Sequence, residues 1–271
     1  MSDAARDLYL DLVKKSVTNL VYIDAEEWRL PLPNSLRTKL LNLINKHGEI
    51  TRKPVPADRD ARSLGKDWSP IAHTMVGLKR LDSVQHCVED ALKNNIPGDL
   101  IETGVWRGGT SIFMRAILKA YGITDRKVWV CDSFEGLPPP NPDEYPEDEG
   151  DELYKYDALA VSQERVAANF AAYDLLDDQV EFVKGWFKDT MPALEPRQYA
   201  VARLDGDMYE STMDVIKVVY PRLSVGGYLV VDDYGDFPSC RAAITDYREE
   251  HGIDDEIVWS DWTGVYWQKT K

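Results

Sequence analysis

Leu100-Ile101-Glu102-Thr103-Gly104-Val105-Trp106-Arg107-Gly108-Gly109-Thr110 reads as a strand, a glycine-rich turn and the start of a helix. Leu100 to Thr103 forms the strand, and Thr110 to Tyr121 the helix. In an open α/β sheet such a turn is where a nucleotide-like cofactor meets the backbone, because glycines permit close approach. The alternation continues with a strand Val128 to Cys131, a helix Gln163 to Tyr173, strands Val180 to Val183 and Tyr199 to Leu204, a helix Ser211 to Leu223 and a strand Tyr228 to Val231. It predicts an α/β fold with a mostly parallel sheet, since right-handed crossovers cover both faces with helices. After a helix from Cys240 to His251, the segments Glu256 to Ser260 and Gly264 to Gln268 are separated only by Asp261-Trp262-Thr263. So short a link requires an antiparallel hairpin.

Upstream of the alternation the pattern is helical. Leu8, Leu12, Val13, Val17 and Leu20 mark an amphipathic first helix, and Asn34 caps a second that runs through Ile44 to a stop at Gly48. The polar stretch Thr51 to Lys66 reads as a mobile connection, and a third helix follows from about Arg80 to Asn95. Residues 1–95 are therefore expected to form an N-terminal helical cap within the same domain as a core of residues 96–271. Leu137 to Asp157, with prolines at 138–140 and the run Glu147-Asp148-Glu149-Gly150-Asp151-Glu152, reads first as a solvated loop. Its length also suits an active-site lid.

The formal charge of -15 opposes nonspecific binding to nucleic-acid phosphates or anionic membranes, and no basic cluster offsets it. No stretch approaches the roughly 20 apolar residues of a membrane span, and no export signal is visible. Cys87, Cys131 and Cys240 are too far apart for a CxxC motif or a disulfide framework, which fits a reducing, cytoplasmic setting.

The turn after the first sheet strand lacks the GxGxxG spacing that cradles a pyrophosphate. S-adenosylmethionine, which carries an adenosine and an amino acid but no phosphate, suits it better. Glu102 offers an acceptor for a cationic amino group, Asp132 ends the second strand where it can hold ribose hydroxyls, and Ser133, Trp186 and Phe187 can contact adenine. Asp205 closes the fourth strand, and Asp232 and Asp233 the fifth. Carboxylates gathered at neighbouring strand ends repel each other unless a cation such as Mg²⁺ neutralises them. Zinc would want His or Cys, and only His73 lies in a promising segment.

The segments Ala72 to Leu81, Glu102 to Gly109, Asp132 to Gly136, Gly185 to Thr190, Leu204 to Asp207 and Val231 to Tyr234 together resemble the macrocin O-methyltransferase family. The resemblance runs from about Asp7 to the end, with residues 29–67 longer or divergent. It implies a class I methyltransferase with a Rossmann-like sheet, S-adenosylmethionine as donor, Mg²⁺, and a sugar hydroxyl of a glycosylated natural product, of antibiotic type, as acceptor. Carried over residue by residue, it makes Asp205, Asp232 and Asp233 the metal ligands. It makes Asp207 the candidate base, with His73 as competitor. The cofactor set becomes Thr74, Met75, Glu102, Thr103, Gly104, Val105, Trp106, Gly108, Asp132, Ser133, Trp186 and Phe187. A homo-oligomer is also expected. A catechol-type methyltransferase and a noncatalytic binder that retains the fold are the alternatives.

Overall fold

The computed structural model describes residues 2–28 and 55–271, and the helix expected from Asn34 to Ile44 lies outside them. In chain order the described elements are α1 Asp3–Val17, β1 Glu27–Trp28, β2 Val55–Pro56, α2 Arg59–Ser63, α3 Leu78–Lys93, β3 Asp99–Thr103, α4 Gly109–Tyr121 and β4 Val128–Asp132. Then follow α5 Gln163–Ala172, β5 Val180–Lys184, α6 Phe187–Ala193, β6 Tyr199–Leu204, α7 Tyr209–Arg222, β7 Leu223–Val231, α8 Pro238–Glu250, β8 Val258–Trp259 and β9 Val265–Gln268.

The main sheet has the order β5-β4-β3-β6-β7-β9-β8. Its first five strands pair in parallel and β9 pairs antiparallel with both β7 and β8, so the terminal hairpin is inserted with its second strand against the sheet. The order reverses between β3 and β6, the switch point at which open α/β sheets hold ligands.

Period-two alternation decides which layer each strand residue feeds. Leu100, Val128, Val130, Tyr228 and Val230 face one core with helices α1, α3, α4 and α5. Ile101, Trp129, Cys131, Leu229 and Val231 face the other, with α6, α7 and α8. Leu10, Val13 and Val17 of α1 and Val84 and Val88 of α3 belong to the first core. These N-terminal helices thus share the core that covers one face of the sheet.

Two expectations need correction. Between Val55 and Lys66 the chain forms β2, paired with β1, and α2, whose first turn is capped by Asp58 Oδ1 at 2.8 Å from the Asp60 N–H. Buried Arg62 donates to both oxygens of Asp67 at 2.8 Å, to Glu26 Oε1 at 2.7 Å and to the Thr18 carbonyl at 2.9 Å. A guanidinium so fully satisfied fixes this segment, so it is no mobile connection. The acidic loop is not simply solvated either. Asp148 is buried and accepts from the N–H groups of Tyr209 at 2.6 Å and Glu210 at 3.0 Å, capping α7 from a distance. Met208, the residue at the N-cap position, has no side-chain cap of its own.

Candidate active site

A cavity of about 880 Å³ opens over the C-terminal ends of the parallel strands. On one side the turn after β3 approaches β6 so closely that a Cβ on Gly104 would run into the Asp205 carbonyl. Gly104 has φ +81°, and its neighbour Trp106 is left-handed at φ 48°. Phe134 after β4 and Asp207 after β6 are left-handed as well. Left-handed residues other than glycine carry strain, and three of them stand where strands leave the sheet for this cavity.

Asp132 Oδ2 accepts from Val105 N at 2.7 Å and Asp132 Oδ1 from Phe134 N at 2.7 Å. Burial pushes its carboxyl up, opposed by these backbone donors. Asp132 therefore ties the glycine-rich turn to the end of β4, while an ionised carboxylate keeps lone pairs for a further donor. Ser133 Oγ donates to the Gly136 carbonyl at 2.6 Å. Thr74, Met75, Glu102, Gly104, Val105, Trp106, Asp132, Ser133, Trp186 and Phe187 all line the cavity. Thr103 and Gly108 do not. Thr103 is buried on β3, and Gly108 starts α4 beneath the side chain of Val166.

The acidic side is built on the parallel pair β6 and β7, which places Leu204 opposite Val231 and hence Asp205 beside Asp232. Ligand atoms of Asp205, Asp207 and Asp233 lie within 4.8 Å of one another. Burial, followed by the other carboxylates, pushes Asp207 and Asp233 well above the usual carboxyl range. Burial also raises Asp205, with Arg203 opposing it. Asp232 stands apart from that trio: it pairs with Arg203 Nη2 at 2.5 Å and with Arg80 Nη1. Burial works against its charge, yet the two guanidiniums hold its carboxyl below the ordinary value.

The segment Asp205-Gly206-Asp207 does not leave β6 in extended form. The φ of Asp207 is 57°, and Met208 N donates to the Gly206 carbonyl at 2.5 Å, so the chain turns immediately. The turn brings Asp207 N to 3.2 Å from Asp233 Oδ2. His73 lies elsewhere: its Nδ1 is 3.0 Å from Tyr173 Oη and it is not among the cavity's lining residues. Burial, then Arg107 and Arg165, lowers its pKa.

Two residues missed in the sequence organise the site. Arg203, 1% exposed, donates from Nη1 to Glu102 Oε1 at 2.5 Å and to Asp205 Oδ2 at 2.9 Å. Glu102, whose carboxyl burial pushes up to about 7, thus already has a cation and the Ser111 hydroxyl as partners. The signal was available: an arginine inside Tyr199-Ala200-Val201-Ala202-Arg203-Leu204 is out of place in a strand buried on both faces unless carboxylates meet it. Arg80 gave no such signal, because an arginine in the first turn of a helix is ordinary on a solvated face.

Comparison with known proteins places this architecture. The model of the macrocin-O-methyltransferase (TylF) family matches residues 6–269, a span that includes the stretch read as divergent. The chain is 51% identical to a tetracenomycin-glycoside 4'-O-methyltransferase of Streptomyces olivaceus, over all of this chain and 95% of that protein. It is 48% identical to mycinamicin III 3''-O-methyltransferase of Micromonospora griseorubida, over 97% of each. Among solved structures, the O-methyltransferase NovP superposes with a TM-score of 0.85 at 45% identity, covering 98% of this chain and 100% of that one. Calicheamicin methyltransferase CalS11, at 23% identity over 70% of this chain and 79% of that one, shares the fold with a TM-score of 0.57. The sheet is that of a class I methyltransferase, and the chain belongs to the macrocin O-methyltransferase family.

Proposed function

We propose that the protein transfers a methyl group from S-adenosylmethionine to a sugar hydroxyl of a glycosylated natural product, with a divalent cation such as Mg²⁺ held by Asp205, Asp232 and Asp233 and with Asp207 as base. The observation that carries it is one cavity in which the glycine-rich turn and a nest of carboxylates share a wall. The relatives methylate glycosylated tetracenomycin and mycinamicin III, and a third is a demethyldecarbamoylnovobiocin O-methyltransferase of Streptomyces niveus, 46% identical over 97% of this chain.

The donor supplies a methyl on a sulfonium. The backbone from Gly104 to Trp106, with Glu102 through the lone pairs that Arg203 and Ser111 leave it, would receive its amino-acid end, Asp132 the ribose, and Ser133, Trp186 and Phe187 the adenine. Thr74 and Met75 lie at the same cavity wall. Carboxylates this close are hard oxygen donors of the kind a Mg²⁺-sized ion takes, and their raised pKa values fit a nest lacking its counter-charge. The ion would act as a Lewis acid on the hydroxyl.

Asp232 can serve although two arginines hold it, because a carboxylate offers about four lone-pair sites. The close approach of Asp207 to Asp205 and Asp233 favours a second arrangement, in which Asp207 is the third ligand and Asp232 a counter-ion. Manganese affinity by electron paramagnetic resonance separates the two: Asp232→Asn weakens binding in the first arrangement and Asp207→Asn in the second. The base role falls to Asp207 rather than His73, which the cavity does not reach. It would take the hydroxyl proton while the acceptor oxygen lines up with the methyl carbon and sulfur, so positioning is a large part of the work.

The three buried thiols suit a cytoplasmic setting, and no helix among the described residues is long and apolar enough to cross a membrane. A homo-oligomer is supported by the exposed Leu8 and Leu12 on α1. The test of the function is product mass after incubation with S-adenosylmethionine, Mg²⁺ and each of three glycosides, the demethylated tetracenomycin glycoside, mycinamicin III and demethyldecarbamoylnovobiocin, beside a simple catechol. Gain of one methyl on the sugar of any of them supports the reading. Transfer only to a catechol would replace it.

A further inference from the structure

The donor half of the cavity rests on β3, β4 and β5, but the opposite half draws on three segments far apart in sequence: Gly65 to Trp68, residues of Asp232 to Phe237, and Trp262 with Thr263. Thr263 Oγ1 donates to the Asp232 carbonyl at 3.0 Å, and Gly235 N donates to the Thr263 carbonyl at 2.8 Å, so the hairpin turn is stitched to the acidic strand end. Trp262 Nε1 donates to the Leu64 carbonyl at 2.8 Å, which stitches the same turn to the N-terminal segment. Arg80 passes through the joint. It pairs with Asp232 and, at 3.1 Å, with Asp261. A Cβ on Gly65 would overlap its Nη2, and one on Gly264 would lie 2.7 Å from its Cδ. Two glycines thus leave the channel that one guanidinium fills.

The indole of Trp262 is the product of this construction. Its N–H is satisfied by protein, Lys66 and Arg80 lie over the ring at 5.1 and 5.9 Å, and 37% of the residue stays exposed while it lines the cavity beside the carboxylates. The cavity's other aromatic side chains, Trp68, Trp106, Trp186, Phe187 and Phe237, are half-buried, so Trp262 is the most open of them, and a tryptophan held by its N–H yet left open is what an apolar sugar face can pack against with little ordering cost. We propose that Trp262 is the platform for the acceptor's sugar ring and that Arg80 is the residue that positions it. This inference rests on the sugar reading above. Trp262 touches the acceptor, whereas Arg80 acts through the turn.

The test compares Trp262→Ala, Trp262→Phe and Arg80→Lys with wild type, at saturating Mg²⁺, on whichever of the three glycosides is methylated fastest. Trp262→Ala should raise the acceptor KM about tenfold with kcat changed far less, since a lost stacking surface is lost equally from ground and transition states. Trp262→Phe should recover part of it. Arg80→Lys keeps one charge but cannot bridge two carboxylates as a fork, and should raise the same KM roughly threefold. S-adenosylmethionine affinity by calorimetry should stay at the wild-type value in all three, which a general loss of structure would not allow. An acceptor KM unmoved in Trp262→Ala, or a cofactor affinity that falls with it, overturns the platform while leaving the sugar reading in place. A wild type that methylates none of the three glycosides takes down the sugar reading and the platform together.

Discussion

Asp207 and Glu102 carry the sharpest chemistry per residue. Asp207→Asn keeps the size of the side chain and removes its basic oxygen. Under single-turnover conditions methyl transfer should slow by roughly 10²- to 10⁴-fold, with cofactor affinity by calorimetry near wild type. Wild-type rates in that variant would hand the proton to another acceptor. Glu102 leads to a pH prediction. Its carboxyl ordinarily titrates near 4.5 and burial raises it to about 7 in the fold, so the folded chain holds the extra proton between those values. Stability contributed by the neutral form is full below the lower value and is lost as pH rises through the upper one. Glu102→Gln stays neutral and can still accept from Arg203, so its Tm should fall less than that of wild type between about pH 4.5 and 7. Parallel calorimetric curves for the two proteins would contradict this.

Single residues also mark where sequence reading stops. Glu102, Asp132, Asp205 and Asp233 were legible because each stands at or just past the end of a hydrophobic strand, and strand ends point at the site. The partners of those residues were not. Which guanidinium meets which carboxylate depends on contacts between positions 101 or 152 residues apart, as in Arg203 with Glu102 and Arg80 with Asp232. No local pattern encodes those pairs. Asp207 had the right neighbourhood, but its backbone was not legible: aspartate tolerates a left-handed φ without requiring it, so its presence does not mark the turn.

Elements were readable to within a few residues, since period and punctuation are local. The strand expected over Tyr199 to Leu204 is observed with those bounds, and the helix expected over Gln163 to Tyr173 ends one residue earlier. The α6 turn, Phe187–Ala193, went unseen because Pro192 sits inside it. The acidic loop shows the opposite failure, in which a charge run conceals one buried member. Asp148→Ala should cost about 0.5 to 2 kcal/mol of unfolding free energy in urea, as loss of a helix N-cap does. It should also speed hydrogen exchange in residues 137–159, because the loop loses its bonds to α7. A variant as stable and as protected as wild type would mean that Asp148 is not the cap that holds the loop.

At the scale of the molecule, a parallel sheet with a switch point between β3 and β6 brings the donor turn and the carboxylates to one edge. The terminal hairpin, set antiparallel against β7, closes the far wall through Trp262 and Thr263. The central claim is that those carboxylates work through a divalent cation to prepare a sugar hydroxyl for methylation. The most direct measurement is single-turnover transfer of labelled methyl from S-adenosylmethionine to the best of the three glycosides, in excess EDTA and again after Mg²⁺ is restored. Losing a Lewis acid worth several kcal/mol should slow transfer by roughly 10²-fold or more, with full recovery on adding Mg²⁺ and the methyl located on the sugar by NMR. Transfer at the same rate in EDTA as in Mg²⁺ would contradict the account.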